Sequence, residues 1–213
     1  MRVVIIGASG FIGSAIRDEA LTRGHQVTAI VRHPEKITVQ NSRLTIVKAD
    51  ILKDDLGKLV KGHDAVISAY NPGWGNPNLY EEQIKGTQNL ISGVKKARVK
   101  RLLVVGGAGS LEIAPGVQVI DKTDFPKEVI GGVLATREAL YMLRKEDKLE
   151  WTFLSPPANI KPGERTGHFR VGKDQLLKNE DGESVISTQD YAVAMIDELE
   201  HPQHKRQRFT VAY

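Results

Sequence analysis

A chain of 213 residues with 40% hydrophobic and 26% charged side chains is long enough for one full core and has the make-up of a soluble globular protein. It contains no cysteine, which excludes a disulfide scaffold and a thiolate metal site, and its formal charge of +4 is too mild and too dispersed for a nucleic-acid stripe. The one basic run, His204 to Arg208, reads as a solvated turn, and no stretch suits a secretory signal or a membrane span, so a cytoplasmic protein is expected.

The first predicted element is a β-branched strand ending at Ile6, followed by Gly7-Ala-Ser9-Gly10-Phe11-Ile12-Gly13 and an immediate helical pattern. An ordinary strand-to-helix loop could carry such glycines. Their place after a strand and at a helix start favours a phosphate cradle, with the Ser9 to Ile12 amides on a pyrophosphate. In that arrangement Gly7 makes the bend, Gly10 lets backbone approach the ligand and Gly13 lets helix and strand pack, so that only hydrogen fits at each. The helix runs from about Gly10 to Arg23, places Phe11, Ile12, Ala15, Ile16, Ala20 and Leu21 on one stripe, and ends at Gly24.

A second buried strand, Gln26 to Val31, ends at Arg32, where an NAD-specific protein would carry an acidic residue. A guanidinium can instead grip a 2′-phosphate in bidentate fashion, which favours NADP over NAD; the plainer reading is a surface charge. Leu44 to Val47 is the third strand. Beyond it Asp50 could accept from an adenine amino group beside Ile51, or cap the segment starting near Asp54. The fourth strand, Asp64 to Ala69, brings Ala69 and Tyr70 beside the glycine turn. The Gly/Pro loop Asn71 to Asn78 carries Trp74, read as a lid over a pocket or else as a pin for a long loop.

A helix from about Leu79 to Ala97 leads to a fifth strand, Arg101 to Val105, and a second glycine cluster, Gly106 to Ser110, where Ser110 could donate to a substrate carbonyl. Leu111 to Val129 reads as an irregular functional loop, with helical periodicity from about Gly132 to Asp147. The sixth strand, Trp151 to Leu154, closes on Ser155-Pro156-Pro157. Lys161 to Gly182 reads as a small hairpin-like excursion over the carboxyl edge. Ser187 to Asp190 is a capping box opening a helix through Glu200, and Arg208 to Ala212 is a last strand. The whole is one α/β domain, a doubly wound parallel sheet with helices on both faces, in which residues 155–185 elaborate the substrate side.

Tyr141 and Lys145 have the YxxxK spacing of an acid/base pair, but they fall too near the sixth strand to reach the carboxyl edge of the sheet. Counting back from Trp151 puts the two slots near Val133 and Arg137, and valine cannot transfer a proton.

Taken together, Gly7 to Gly13, Val31-Arg32, Lys48-Ala-Asp50, Val105-Gly-Gly-Ala108, Trp151 to Pro156 and Ile186 to Ala192 resemble the atypical short-chain dehydrogenase/reductases. The nearest likeness is to the NAD(P)H-binding, NmrA-like branch, which includes NADH-flavin reductase and flavin/biliverdin reductase types. The resemblance implies a Rossmann-type sheet and a bound NAD(P), with hydride transfer to a flavin- or quinone-like acceptor, FMN or FAD entering as substrate. Such a ring needs orientation more than a protein acid. On that reading Ala69, Tyr70 and Ser155 to Pro157 flank the nicotinamide. A non-enzymatic redox sensor and an epimerase- or dehydratase-like enzyme are the alternatives. The expected partner is a small molecule, with homodimerisation open and neither metal, membrane nor nucleic acid involved.

Overall fold

The computed structural model describes residues 1–213. Apolar strands and amphipathic helices alternate from the start: β1 (Arg2–Ile6), α1 (Phe11–Thr22), β2 (Gln26–Val31), β3 (Leu44–Lys48), α2 (Leu56–Val60), β4 (Ala65–Ser68), α3 (Leu79–Lys96) and β5 (Arg101–Val105). The second half is more broken: β6 (Glu112–Ala114), β7 (Val117–Gln118), α4 (Val119–Lys122), α5 (Lys127–Arg144), β8 (Glu150–Ser155), β9 (Asn159–Lys161), β10 (Arg170–Gly172), β11 (Val185–Ser187), α6 (Thr188–Glu200) and β12 (Gln207–Ala212).

Eight strands form one sheet in the order β10-β12-β8-β5-β4-β1-β2-β3, parallel throughout except for the antiparallel edge pair β10 and β12. Parallel strands must be covered on both faces, which is why the central ones read as unbroken apolar runs. Successive residues of β1 alternate between two cores: Val3 and Ile5 pack with Ile16, Ala20, Tyr191 and Ile196 under α1 and α6, whereas Val4 and Ile6 pack with Leu90, Val94, Leu140 and Leu143 under α3 and α5. The chain turns outward in opposite directions on either side of β1 and β4, so the crevice outside their carboxyl ends is the place where such a sheet receives a ligand.

A buried ion pair ties the far side together. The Arg101 guanidinium donates to Glu198 Oε1 at 2.9 Å and to Thr152 Oγ1 at 2.7 Å, with only 7% and 3% of the Arg101 and Glu198 side chains exposed. His204 approaches the other Glu198 oxygen at 2.8 Å and stacks on Phe209 with ring centres 4.2 Å apart.

Five expectations are corrected. The segment after Leu111 is a β6–β7 hairpin followed by the short α4, and α5 begins at Lys127 rather than at Gly132. Two adjacent glycines, Gly131 and Gly132, weaken the helical signal, yet both are helical, and Gly132 is a glycine because Trp74 and Leu79 occupy the space a Cβ would need, at 2.7 and 2.9 Å. The excursion is not a hairpin of its own: β10 extends the main sheet, while β9 pairs in parallel with β11. The basic run is solvated only at Lys205 to Gln207, since His204 is paired with Glu198 and Arg208 is buried. Finally, Phe11 leaves the buried stripe of α1 and is 55% exposed.

Candidate active site

The turn after β1 is built by sterics. Gly7 sits at φ +77°, where a Cβ would come within 2.5 Å of the Ala69 carbonyl oxygen, and a Cβ on Gly13 would lie 2.1 Å from the Gly7 oxygen. Gly10 differs from the expectation that only hydrogen fits at every position: its nearest neighbour would be the Gly7 oxygen at 3.2 Å, so the protein itself leaves room there. The Gly10 N–H donates to the Gly7 oxygen at 2.9 Å, and Arg17 Nη1 donates to the Ala8 oxygen at 3.0 Å, which holds the turn rigid. Gly10 is the N-cap of α1 and offers no side-chain acceptor, so the Phe11 and Ile12 amides stay free at the positive end of the helix dipole.

Ser9, Gly10, Phe11 and Ile12 form one wall of a cleft of about 1120 Å³ that runs along the carboxyl edge of the sheet. Ligand sites usually span roughly 300–1,000 Å³, so this one has room for a dinucleotide and more. Arg32 stands at one end with His33 and Lys36, its Nη2 donating to the Pro72 oxygen at 3.2 Å. Ala49 and Ile51 supply the apolar wall there. Asp50 lies off the wall, and it does not cap the helix after it as the alternative had it: its Oδ1 accepts from the Leu52 N–H at 3.0 Å within a turn, and the N-cap of α2 is Asp55.

Ala69 and Tyr70 line the middle of the cleft. The Tyr70 ring fills the notch left by Gly86, and its hydroxyl donates to the Glu82 carbonyl oxygen at 3.4 Å. Burial pushes the Tyr70 phenol well above its ordinary range, with the Glu82 charge acting in the same direction, so this group is a wall rather than a proton donor. Trp74 is 55% exposed, lines the cleft and rests its ring edge on Gly132, so it both pins its loop to α5 and roofs the space beneath.

At the far end Gly106 to Ser110 and Pro156-Pro157 close the cleft. Ser110 is buried, and its Oγ accepts from Arg208 Nη1 at 3.3 Å, which leaves the hydroxyl proton free to donate. Ser155 is fully buried beneath the two prolines and does not reach the wall; its Oγ has no hydrogen-bond partner. Tyr141 is off the cleft as well, its hydroxyl approached by Gln118 Nε2 at 3.2 Å, and Lys145 is the residue after α5 ends. Val133, Thr136 and Arg137, three residues on one face of α5, do face the cleft. Sequence reasoning missed Lys36, Gln83, Lys122, Thr136 and Lys178 as wall residues. The spacing of Val133, Thr136 and Arg137 on one helix face was a usable signal for Thr136; for the lysines there was none. No group of three or more His, Asp or Glu side chains is arranged to hold a metal ion.

Residues 7–202 match a family model described as NAD(P)H-binding. The chain belongs to the NAD(P)H-binding family. Within it, the topology and the neighbouring proteins are those of an atypical short-chain dehydrogenase/reductase of NmrA-like type. The chain is 44% identical to the uncharacterized Bacillus subtilis protein YwnB over 99% of its own length and 98% of that protein's. Its fold superposes with TM-score 0.93 on a Bacteroides thetaiotaomicron protein provisionally described as an epimerase, 51% identical, covering 100% of this chain and 96% of the other. A Streptococcus pneumoniae protein provisionally described as an NADH-flavin reductase superposes with TM-score 0.86 at 35% identity, covering 100% and 99%. No helix is long and apolar enough to cross a membrane.

The nicotinamide dinucleotide of this family fits the residues present. A turn from which two Cβ atoms are sterically barred and free first-turn amides suit a diphosphate. The protein is thus an NAD(P)H-binding domain of oxidoreductase type.

Proposed function

We propose that this protein is an NADPH-preferring reductase that delivers a hydride to a flavin- or quinone-like ring. The observation that carries the reading is the wall opposite the glycine turn, where Val133 and Thr136 face the cleft while Tyr141 lies outside it. Bound reduced nicotinamide would supply the hydride, with two electrons moving to the acceptor ring and its balancing proton coming from water. The chain's own residues orient and exclude water. The Ser9 to Ile12 amides hold the diphosphate, Arg32 takes the 2′-phosphate, and Tyr70, Pro156 and Pro157 form flat apolar surfaces beside the ring. Trp74 covers the acceptor. A ring that accepts a hydride directly needs no tyrosine acid, whereas alcohol and epimerase chemistry would.

The test is consumption of NADPH by purified protein with FMN, riboflavin and a quinone at saturating concentration. Turnover with at least one ring supports the reading; none with any of them overturns it. In the second case, tight nucleotide binding that differs between reduced and oxidised forms would favour the redox-sensor alternative, for which the missing proton donor also speaks.

A further inference from the structure

The cleft is lined by cations and by no carboxylate. The chain carries 26 Asp and Glu residues, yet none of them lines the cavity. Arg32 and Lys36 stand at the β2 end, where a 2′-phosphate accounts for them. Lys122, Arg137 and Lys178 also line the cleft, and a 2′-phosphate beside Arg32 does not account for them.

Arg137 is the anomaly among the partly buried arginines. Arg17, Arg23, Arg101 and Arg208 each donate to a carboxylate or carbonyl oxygen within hydrogen-bond distance. The Arg137 Nε is buried without any acceptor, as is the Arg101 Nε, but Arg137 differs in that its Nη atoms make no hydrogen bond either: its ion pair with Asp121 Oδ1 spans 3.7 Å from Nη1. Asp121 is itself engaged, its other oxygen accepting from the Gln118 N–H at 2.9 Å as the cap of α4. Lys122 and Lys178 are exposed at the cleft rim, and neither forms an ion pair. A buried N–H donor on a guanidinium costs free energy when left unmet, and a fork of donors facing a cavity is matched by a phosphate or carboxylate.

We infer that the hydride acceptor of this site carries an acidic group, a phosphate or carboxylate, which Arg137 grips in bidentate fashion while Lys122 and Lys178 steer it in from the rim. The inference deepens the proposed reductase activity and rests on it for turnover, but the binding site it describes can be measured without turnover. The three cations come from α4, α5 and the segment after β10, so three separate parts of the chain contribute positive charge to the wall of the cleft.

FMN and riboflavin share one redox ring and differ by a phosphate, which makes them the pair to compare. With NADP⁺ present, FMN should bind at least about tenfold more tightly than riboflavin, and in turnover its kcat/KM should exceed that of riboflavin by a similar factor. In Arg137→Gln the FMN-to-riboflavin ratio should fall about tenfold, and Arg137→Lys should restore part of it. In Lys122→Gln/Lys178→Gln, exposed positions that do not threaten folding, the advantage of FMN should shrink and lose its dependence on salt. Equal binding of the two flavins by the wild type overturns the inference. So does a loss in Arg137→Gln that is equal for both flavins and accompanied by weaker NADPH binding, since that would place Arg137 on the dinucleotide. Tight, phosphate-dependent FMN binding without NADPH consumption would uphold the acidic-group site and overturn the reductase reading.

Discussion

Replacing Gly10 by Ala separates the part of the glycine turn that the fold needs from the part a ligand needs. At Gly10 an added methyl meets only the Gly7 oxygen at 3.2 Å, a contact relieved by a few tenths of an ångström. Ala is a poorer N-cap than Gly, at a cost of about 0.5–1 kcal/mol, while the loss of unfolded-chain freedom returns about 0.4–1 kcal/mol. The net change is within about 1 kcal/mol, a shift of at most about 2–4 °C in Tm for a chain of this size. Gly13→Ala is the contrast, because a methyl 2.1 Å from the Gly7 oxygen strikes backbone that cannot swing away. An overpacking cost near the top of the usual range, about 3 kcal/mol, lowers Tm by about 6–12 °C. For a diphosphate the order reverses. The Gly10 methyl stands between main chain and phosphate oxygen, and losing even one charge-assisted hydrogen bond of about 1.5–3 kcal/mol weakens NADPH binding by about 10- to 100-fold. Thermal melts and titration calorimetry of both variants read the two effects. A normally folded Gly10→Ala protein with wild-type NADPH affinity would refute the idea that backbone at this turn touches the ligand.

Arg32→Ala should weaken NADPH binding by about tenfold or more and leave NADH binding nearly unchanged, a difference calorimetry with both nucleotides measures directly. Tyr141→Phe should turn over within about threefold of wild type, since its hydroxyl meets Gln118 outside the cleft; steady-state assays check this. Burial alone would raise the Glu198 carboxyl, but hydrogen bonds from His204 and the Gln203 and His204 amides, with the charge of Arg101, hold it below the ordinary range. A carboxyl depressed in the folded state contributes stability above its unfolded value near 4.3 and loses it as pH falls through the folded value. Glu198→Gln should therefore be less stable at pH 7 by about 3–5 kcal/mol, because Arg101 is left buried and unpaired, yet decline less steeply than wild type below about pH 4.5 in denaturant titrations. Trp74→Ala should raise KM for the acceptor more than for NADPH and lower Tm modestly, because the ring that pins its loop against Gly132 is already half in water.

The doubly wound sheet was legible because its signals are local. β1, β2, β4 and β5 are apolar runs ending in turn formers, and Gly24 at φ +83° stops α1 where a C-terminal cap should. The glycine turn and Arg32 were legible for the same reason, being fixed by their place along one strand-turn-helix unit. The start of α5 was hidden because Gly131-Gly132 argues against a helix, and only the ring of Trp74, more than fifty residues away, shows why a side chain is unwelcome there. β10 is three residues long and is a strand only because β12 offers it an edge. Asp50 and Ser155 were placed near the right edge of the sheet, but whether each faced the cleft depended on a turn and on strand pleat that the sequence does not specify. That Lys122, Arg137 and Lys178 all line one cleft is a property of packing alone.

Arg208 is one of the ties that hold the far half of the cleft together, beside the backbone bonds between Glu112 and the Asp174–Leu176 segment. From the edge-side strand β12 its guanidinium reaches Ser110 at 3.1 Å and Asp174 at 2.8 Å, joining the floor of the cavity to the inserted segment that walls it. The glycine turn, Arg32, Ile51, Ala69 and Tyr70, by contrast, all come from one contiguous stretch that ends before β5. Changes in the later segments can therefore reshape the far half of the cleft without disturbing the glycine turn.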